Sequence, residues 1–376
     1  MDAGGEQLWT WAQQGCTGSV AEFAGHVDMP ALARALFVAS RNDWPCTVDA
    51  LLVLGARLHG TPCTSRVNAT VGEDGVTALY HAVLGDSAVA ASALVRAKAD
   101  VRARYNARIF PLKTACEAGH SAVAQVLVQA KASIDEVDAF GQTPIFYACI
   151  RGHGAIVHML VEAKVDVDCA KYRGLTPLAT ASAYGNQDVV EVLLRARARV
   201  DKANVAGVTP LARAVTTGHL AVVQLLLRAK ADIHRADGEG QTPLFHASRQ
   251  GQRAVAQLLL QATAHVDKTD THGRTPLSHA SEQGQHAVVQ LLLQATAHVD
   301  KADGRGLTPL SHASARGQLV AVQLLLQAKA DAKRADAEGL TLFSHPSGWP
   351  HSDVVDLLLE AKADAQRVDC NAFKAP

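Results

Sequence analysis

Aromatic side chains are scarce: Phe, Trp and Tyr together supply 5% of the 376 residues, although hydrophobic residues supply 48%. The core must therefore be built from Ala, Leu and Val, a mixture that suits helices better than pleated sheets. Neither sign of charge prevails, with 36 basic residues against 36 acidic ones, which excludes a broad nucleic-acid or membrane-charge footprint. No apolar run approaches the roughly eighteen residues of a membrane-spanning helix, so no membrane insertion is expected. The 7 cysteines are odd in number, widely scattered and never arranged as CxxC, which argues against a disulfide framework or a zinc site. The opening MDAGGEQLWTWAQQ lacks the basic stretch and apolar run of a signal peptide. Together these absences point to a soluble protein of the reducing cell interior, in the cytoplasm or else the nucleus.

What the sequence has in quantity is repetition. QLLLQATAHVDK occupies 257–268 and recurs unchanged at 290–301. Gly stands at 141, 174, 207, 240, 273, 306 and 339, always 33 positions apart, with Thr two residues later each time. Pro follows that Thr at 144, 177, 210, 243, 276 and 309, and Pro111 stands one period earlier. Thr is a good N-cap, and Pro suits the first helical position, where its missing N–H costs nothing. Leu178, Leu211, Leu244, Leu277 and Leu310 come next, each followed three residues later by Ala, so both lie on one helix face. Gly at 119, 152, 185, 218, 251, 284 and 317 then closes the short helix. A second helix begins at once with runs such as VVQLLL at 222–227 and 288–293, apolar over more than half its surface. Helices of about ten residues are marginal alone and become stable by burying faces on the next copy.

This TPL…A…G…LL pattern with its 33-residue period resembles the ankyrin repeat. The resemblance extends over residues 75–366 as nine units, the last atypical and capping. It implies an all-α ankyrin-repeat solenoid of stacked helix–turn–helix units with projecting loops, curved and L-shaped. Residues 31–58 read as a further degenerate repeat, 59–74 as a loop insertion, 1–30 as a degenerate helical cap and 367–376 as a loose tail. The first regular unit has Ala78 in the Pro slot, with Gly85 one residue early; the second has Arg108 and Phe110 in place of Gly and Thr. The last has Leu342 in the Pro slot, and its Pro346 should cut or distort the helix. Where the family usually ends its second helix on Gly, this chain has Lys98, Lys131, Lys164, Arg197, Lys230, Thr263, Thr296, Lys329 and Lys362. Either the cap geometry differs there or each left-handed cap costs about 1 kcal/mol.

Candidates for chemistry are few. His246, His279, His312 and His345, with His81 at the other end, form a ladder one residue beyond the family's TPLH position. Successive repeats stand about 8–10 Å apart, whereas zinc needs its ligands about 2 Å from one ion. Neighbouring ladder members are thus badly placed to share a metal, and buried imidazoles hydrogen-bonding to neighbouring loops are expected. GHG at 152–154 falls between two helices with no strand before it and is no dinucleotide loop. Cys149 and His153 are close in sequence, but Cys149 occupies a helix slot that later repeats fill with Ser. No catalytic residue, cofactor or metal is expected.

Binding is what remains, and repeat proteins bind through the surface of their loops and first helices. The resemblance places contact residues just before the Thr-Pro and near the end of the first helix. In one unit these are Phe140, Ile150 and Arg151, and in the next Tyr172, Arg173 and Tyr184. Later units supply Arg249, His272, Arg274, Arg305, Arg316 and Trp349. Tyr, Trp and Arg dominate interface hot spots, and Phe140, Tyr172, Arg173 and Tyr184 concentrate scarce aromatics in adjacent units. The expectation is a monomeric, non-enzymatic scaffold holding a partner protein on its concave, loop-bearing face. An adaptor delivering clients to a larger complex, such as a ubiquitin ligase, is a variant of it. The alternatives are an enzyme acting through the divergent N-terminal segment and a structural spacer without partners.

Overall fold

The computed structural model describes residues 3–23, 29–42, 44–59, 68, 70–71, 76–104, 109–334, 336–338 and 353–360. The chain divides into two compact units, the first comprising Met1–Tyr172, Thr176–Ala181 and Asp188–Ala198, the second Arg173–Leu175, Ser182–Gln187 and Arg199–Pro376. Helices come in pairs throughout. Ala3–Gln14 is followed by Thr17–Glu22, and Met29–Arg41 by Pro45–His59. A two-residue antiparallel pair, Thr70–Val71 against Val76–Thr77, precedes the regular array. Each repeat then carries a short first helix, such as Pro210–Thr217 or Pro276–Glu282, and a nine-residue second helix, such as Leu220–Arg228 or His286–Gln294.

The local chemistry of the repeat explains its boundaries. The Oγ1 of Thr209, Thr242, Thr275 and Thr308 accepts the backbone N–H three residues on, satisfying an otherwise orphaned helix donor. Thr143 makes no such capping bond. Phe110, which stands in a Thr slot, caps nothing and is instead buried in the core. Gly119, Gly152 and Gly218 end their helices in the left-handed region, with φ between 80° and 87°. Gly85 stands one residue ahead of the turn position, as its early place in the repeat indicates. Its φ is −83°, and Asp86 takes the left-handed conformation in its place, so the spacing of the turn is kept and only the residue type changes.

Between copies, burial is complete along one line of each helix. Leu178, Leu211, Leu244, Leu277 and Leu310 are fully buried from the first helices. From the second helices, Leu226, Leu259, Leu292 and Leu325 are fully buried. The outer members of each Leu triplet, Leu291 and Leu293 for example, are only half-buried, so the second helix is less enclosed than its apolar run suggests. The second-helix caps settle the alternative posed by the missing glycines. Lys98, Lys131, Lys164, Arg197, Lys230, Thr263, Thr296 and Lys329 all adopt φ between 61° and 68°, so the array keeps the cap geometry and carries the strain. Leu342, Pro346, Trp349, His345, Lys362, Arg108 and the 367–376 tail lie outside the described residues.

Candidate functional site

Five repeats project a tight finger ahead of the first helix that one carboxylate or amide folds, while the repeat between the first and second of them has Lys171 in that slot. Oδ1 of Asp138 accepts the N–H groups of Phe140 and Gln142 at 2.8 and 2.9 Å. Asn204, Asp237, Asp270 and Asp303 do the same two and four residues downstream. A glycine in the left-handed region completes the turn, and at Gly306 (φ 83°) a Cβ would stand 2.4 Å from the Ala337 amide nitrogen. Within the second unit the fingers are tied to one another through backbone. Thr271 N–H donates to the Glu239 carbonyl at 2.9 Å, Gly304 N–H to that of His272 at 2.8 Å, and Ala337 N–H to that of Arg305 at 2.9 Å. The tip residues between these bonds are therefore held on a rigid frame.

In the first unit, Phe140 crowns its finger at 69% exposure, beside Val137 at 48%. Ile150 and Arg151 lie on the last turn of Pro144–Arg151, half-buried and exposed respectively. Arg151 is engaged by Glu117 of the preceding repeat at 3.3 Å, and Lys113 holds the same carboxylate at 3.0 Å. Burial would raise the Glu117 carboxyl, but these two cations outweigh it and hold it below its usual range. Behind the finger, the Tyr147 hydroxyl donates to Asp138, whose carboxyl burial would raise but which Tyr147 and two amides hold low. Lys171 rests its ammonium 4.4 Å from the Phe146 ring centroid, and burial pushes it down to about 8. The Tyr172 side chain lies outside the described part, and Arg173 and Tyr184, both exposed, belong to the second unit rather than to that of Phe140.

In the second unit the structure gathers candidate residues around one cleft. A hollow of about 680 Å³ is lined by the Thr271–Arg274 and Gly304–Arg305 finger segments, with Glu282 and His312 among its walls. Arg274 grips Asp270 through Nε at 3.2 Å and Nη2 at 3.1 Å, and its Nη1 lies 3.8 Å from Glu282. Arg316 reaches Glu282 from the next repeat at 2.9 Å. Burial would raise the Glu282 carboxyl, yet Arg316, His312 and His279 together hold it below the usual range. His272 and Arg305 stand exposed at the mouth. Arg249 lies apart from this cleft, half-buried at the end of Pro243–Arg249.

Comparison with known proteins settles the family. The family model for ankyrin repeats (three copies) matches residues 91–171, 112–204, 163–237 and 211–303, and that for a single ankyrin repeat matches 305–337. These spans cover well over half of the chain. The chain belongs to the ankyrin-repeat family. The human ASB11 ankyrin repeat domain, solved as a crystal structure, is similar at 26% identity with a TM-score of 0.53, over 58% of this chain and 98% of that one. A search of the curated proteins finds no match. The matched span of 91–337 is shorter than the 75–366 over which the motif is legible. The architecture is an all-α repeat solenoid, and ankyrin repeats generally serve as protein–protein interaction modules. No helix among the described residues is long and apolar enough to cross a membrane.

Two features of these ankyrin repeats escaped the sequence reading. The first is the finger Asp, legible as an acid nine positions before His246, His279, His312 and His345, which gives His246 and His312 their partners. His246 Nε2 lies 3.1 Å from Asp237 and His312 Nε2 lies 3.0 Å from Asp303, so each imidazole braces the finger of its own repeat, not that of a neighbour. The second is a clasp at the residue after the first-helix glycine. His153 Nε2 meets the Glu117 carbonyl at 3.2 Å and His219 Nε2 that of Ala183 at 3.1 Å, while Gln252 and Gln318 donate likewise at 3.3 and 3.4 Å. Each clasp satisfies a last-turn carbonyl of the preceding repeat.

His279 is the exception in the ladder, because Arg274 has taken its carboxylate and leaves it 3.7 Å from Asp270. Its ring instead packs on Phe245 with centroids 4.3 Å apart. Burial and then Arg274 push His279 down to about 4, and burial with Arg41 does the same to His81. The folded state thus binds fewer protons than the unfolded chain between about 4 and the free histidine value of about 6.5. Stability is fully present above pH 6.5 or so and is lost as the pH falls towards 4, with His279 contributing about 1–3 kcal/mol. Urea unfolding at pH 7.5 and pH 5 checks this, and an H279Q variant should lose less on acidification than the parent. An equal loss in both would assign the acid sensitivity to other groups.

Proposed function

We propose that the protein is a non-enzymatic scaffold that binds a partner protein along the face made by its finger tips and first helices. The observation that carries this reading is the division of the repeats into a largely constant frame and a changing exterior. The finger Asp or Asn with its two amide bonds recurs in five of these six copies, Lys171 filling the slot in the other, and the buried run after the Thr recurs in all of them. The residue at the finger tip does not: it reads Phe140, Arg173, Ala206, Glu239, His272 and Arg305 in successive units. A surface that only spaced other elements apart would have no use for exposed Phe140 and Tyr184 at 69% and 57%. The fully buried Cys149 thiol, pushed well up by burial, also favours a role without a cysteine nucleophile.

The test is capture of partners from native extract by the intact chain beside a variant with Phe140, Tyr172, Arg173 and Tyr184 changed to Ala. The partner should be held by the first and weakened about tenfold or more in the second, with equal helical circular dichroism. A partner held equally by both would move the contact away from these four residues. Capture of nothing by either chain would sink the module reading.

A further inference from the structure

The cleft in the second unit carries a chemical preference that its residue types alone do not reveal, because most of its charges are already spent. Asp270 is occupied by the His272 and Arg274 amides and by the Arg274 guanidinium. Asp303 is occupied by two amides and by His312. Glu282 is held by Arg316, with Arg274 beside it. What remains at the mouth are His272 and Arg305, whose side chains have no hydrogen-bond or ion-pair partner among the described residues. They occupy the same position in adjacent repeats, and the Gly304 N–H to His272 carbonyl bond of 2.8 Å locks one finger against the other. One unpaired guanidinium and one unpaired imidazole therefore face a hollow of about 680 Å³ from two fixed points.

We propose that this cleft seats a short acidic segment of the partner protein, its carboxylates meeting Arg305 and His272. The segment is short because the row of tips changes sign on either side: Glu239 precedes His272 and Glu338 follows Arg305, both exposed. A polyanion running along the tips would meet those carboxylates. A nucleic-acid strand is disfavoured for that reason, and a peptide crossing the row with its carboxylates at the centre is favoured. A guanidinium binds a carboxylate through two parallel N–H bonds, which gives the contact direction as well as charge. The proposal rests on the reading of the finger face as a protein-binding surface and names the chemistry of what part of that face takes.

Fluorescence anisotropy on the intact chain tests it, using a labelled peptide with three adjacent glutamates and an otherwise identical peptide with glutamines. The glutamate peptide should bind about tenfold more tightly, and that preference should shrink at about 0.15 M salt. H272E/R305E should abolish the preference. R228E/R253E, which makes a charge change of the same sign and at least the same size on exposed second-helix positions, should keep most of it. Circular dichroism and melting of both variants exclude misfolding as the cause. Equal binding of the two peptides, equal losses in the two variants, or tighter binding of a single-stranded oligonucleotide would each overturn the proposal. A chain that holds a partner sensitive to the Phe140, Tyr172, Arg173 and Tyr184 substitutions yet shows no glutamate preference overturns this inference alone. A chain that does neither overturns the module reading with it.

Discussion

Replacing Leu292 by alanine should remove about 2–5 kcal/mol of unfolding free energy, read as a fall in the urea midpoint followed by helical circular dichroism. Leu292 is fully buried in the last turn of His286–Gln294, and Val288 and Val289 on the same helix are fully buried too. The second helices on either side bury Leu259 and Leu325 in the same register, so the truncated side chain leaves a hole between copies rather than at an edge. The neighbouring Leu291 is only half-buried, and L291A should cost well under half as much. Stacked repeats stabilise one another chiefly through nearest-neighbour interfaces. The L292A transition should therefore broaden as well as shift, because segments on each side lose their coupling. Equal costs for L291A and L292A would mean that the triplet is buried as a block.

The ease with which the fold was read from sequence follows from what a repeat makes redundant. A single Thr-Pro pair says little, but Thr and Pro at a fixed spacing from 143 to 309 can only mark equivalent helix starts. Burial in the structure follows that spacing residue by residue, with the Leu or Ile after each Pro and the Ala three further on fully enclosed. What was harder to see depends on partners across a turn. Asp237 and His246 are nine residues apart, and nothing in helical periodicity links a loop carboxylate to an imidazole on the following helix. The clasp from His219 to the Ala183 carbonyl spans 36 residues and joins a side chain to backbone, so no complementary residue type betrays it. The same holds for the cleft. His272, Arg274, Arg305 and Arg316 were legible as exposed-slot residues, but which of them is spent on Asp270 or Glu282 is a matter of distances. That Gly85 comes one residue early was legible from the 33-residue spacing, but that Asp86 itself takes up the left-handed turn was not.

The strained second-helix caps lead to a gain rather than a loss. T263G/T296G should raise stability by about 2 kcal/mol, and glycine at all eight described caps by roughly 4–8 kcal/mol. Thr263 and Thr296 sit at φ 68° and 62°, where a β-branched side chain is least tolerated. The turn cannot relax without loss: Ala264 N–H donates to the Leu259 carbonyl and Ala297 N–H to that of Leu292, both at 3.0 Å, and those bonds exist only because the intervening residue is left-handed. Leu259 and Leu292 are the buried leucines of their helices, so unwinding the cap would also disturb the packing between copies. Glycine keeps both bonds and removes the clash of about 1–2 kcal/mol, against an unfolded-state entropy cost of about 0.5–1 kcal/mol. The two Thr sites test this most cleanly, since substituting them leaves the charge unchanged, whereas replacing the Lys and Arg caps removes positive charge. T263A/T296A is the control, because alanine retains the Cβ and should gain little. Repeats whose caps do not touch should contribute additively, so the melting temperature should climb step by step as caps are replaced. A T263G/T296G variant no more stable than its alanine counterpart would show that the left-handed caps carry no strain worth relieving.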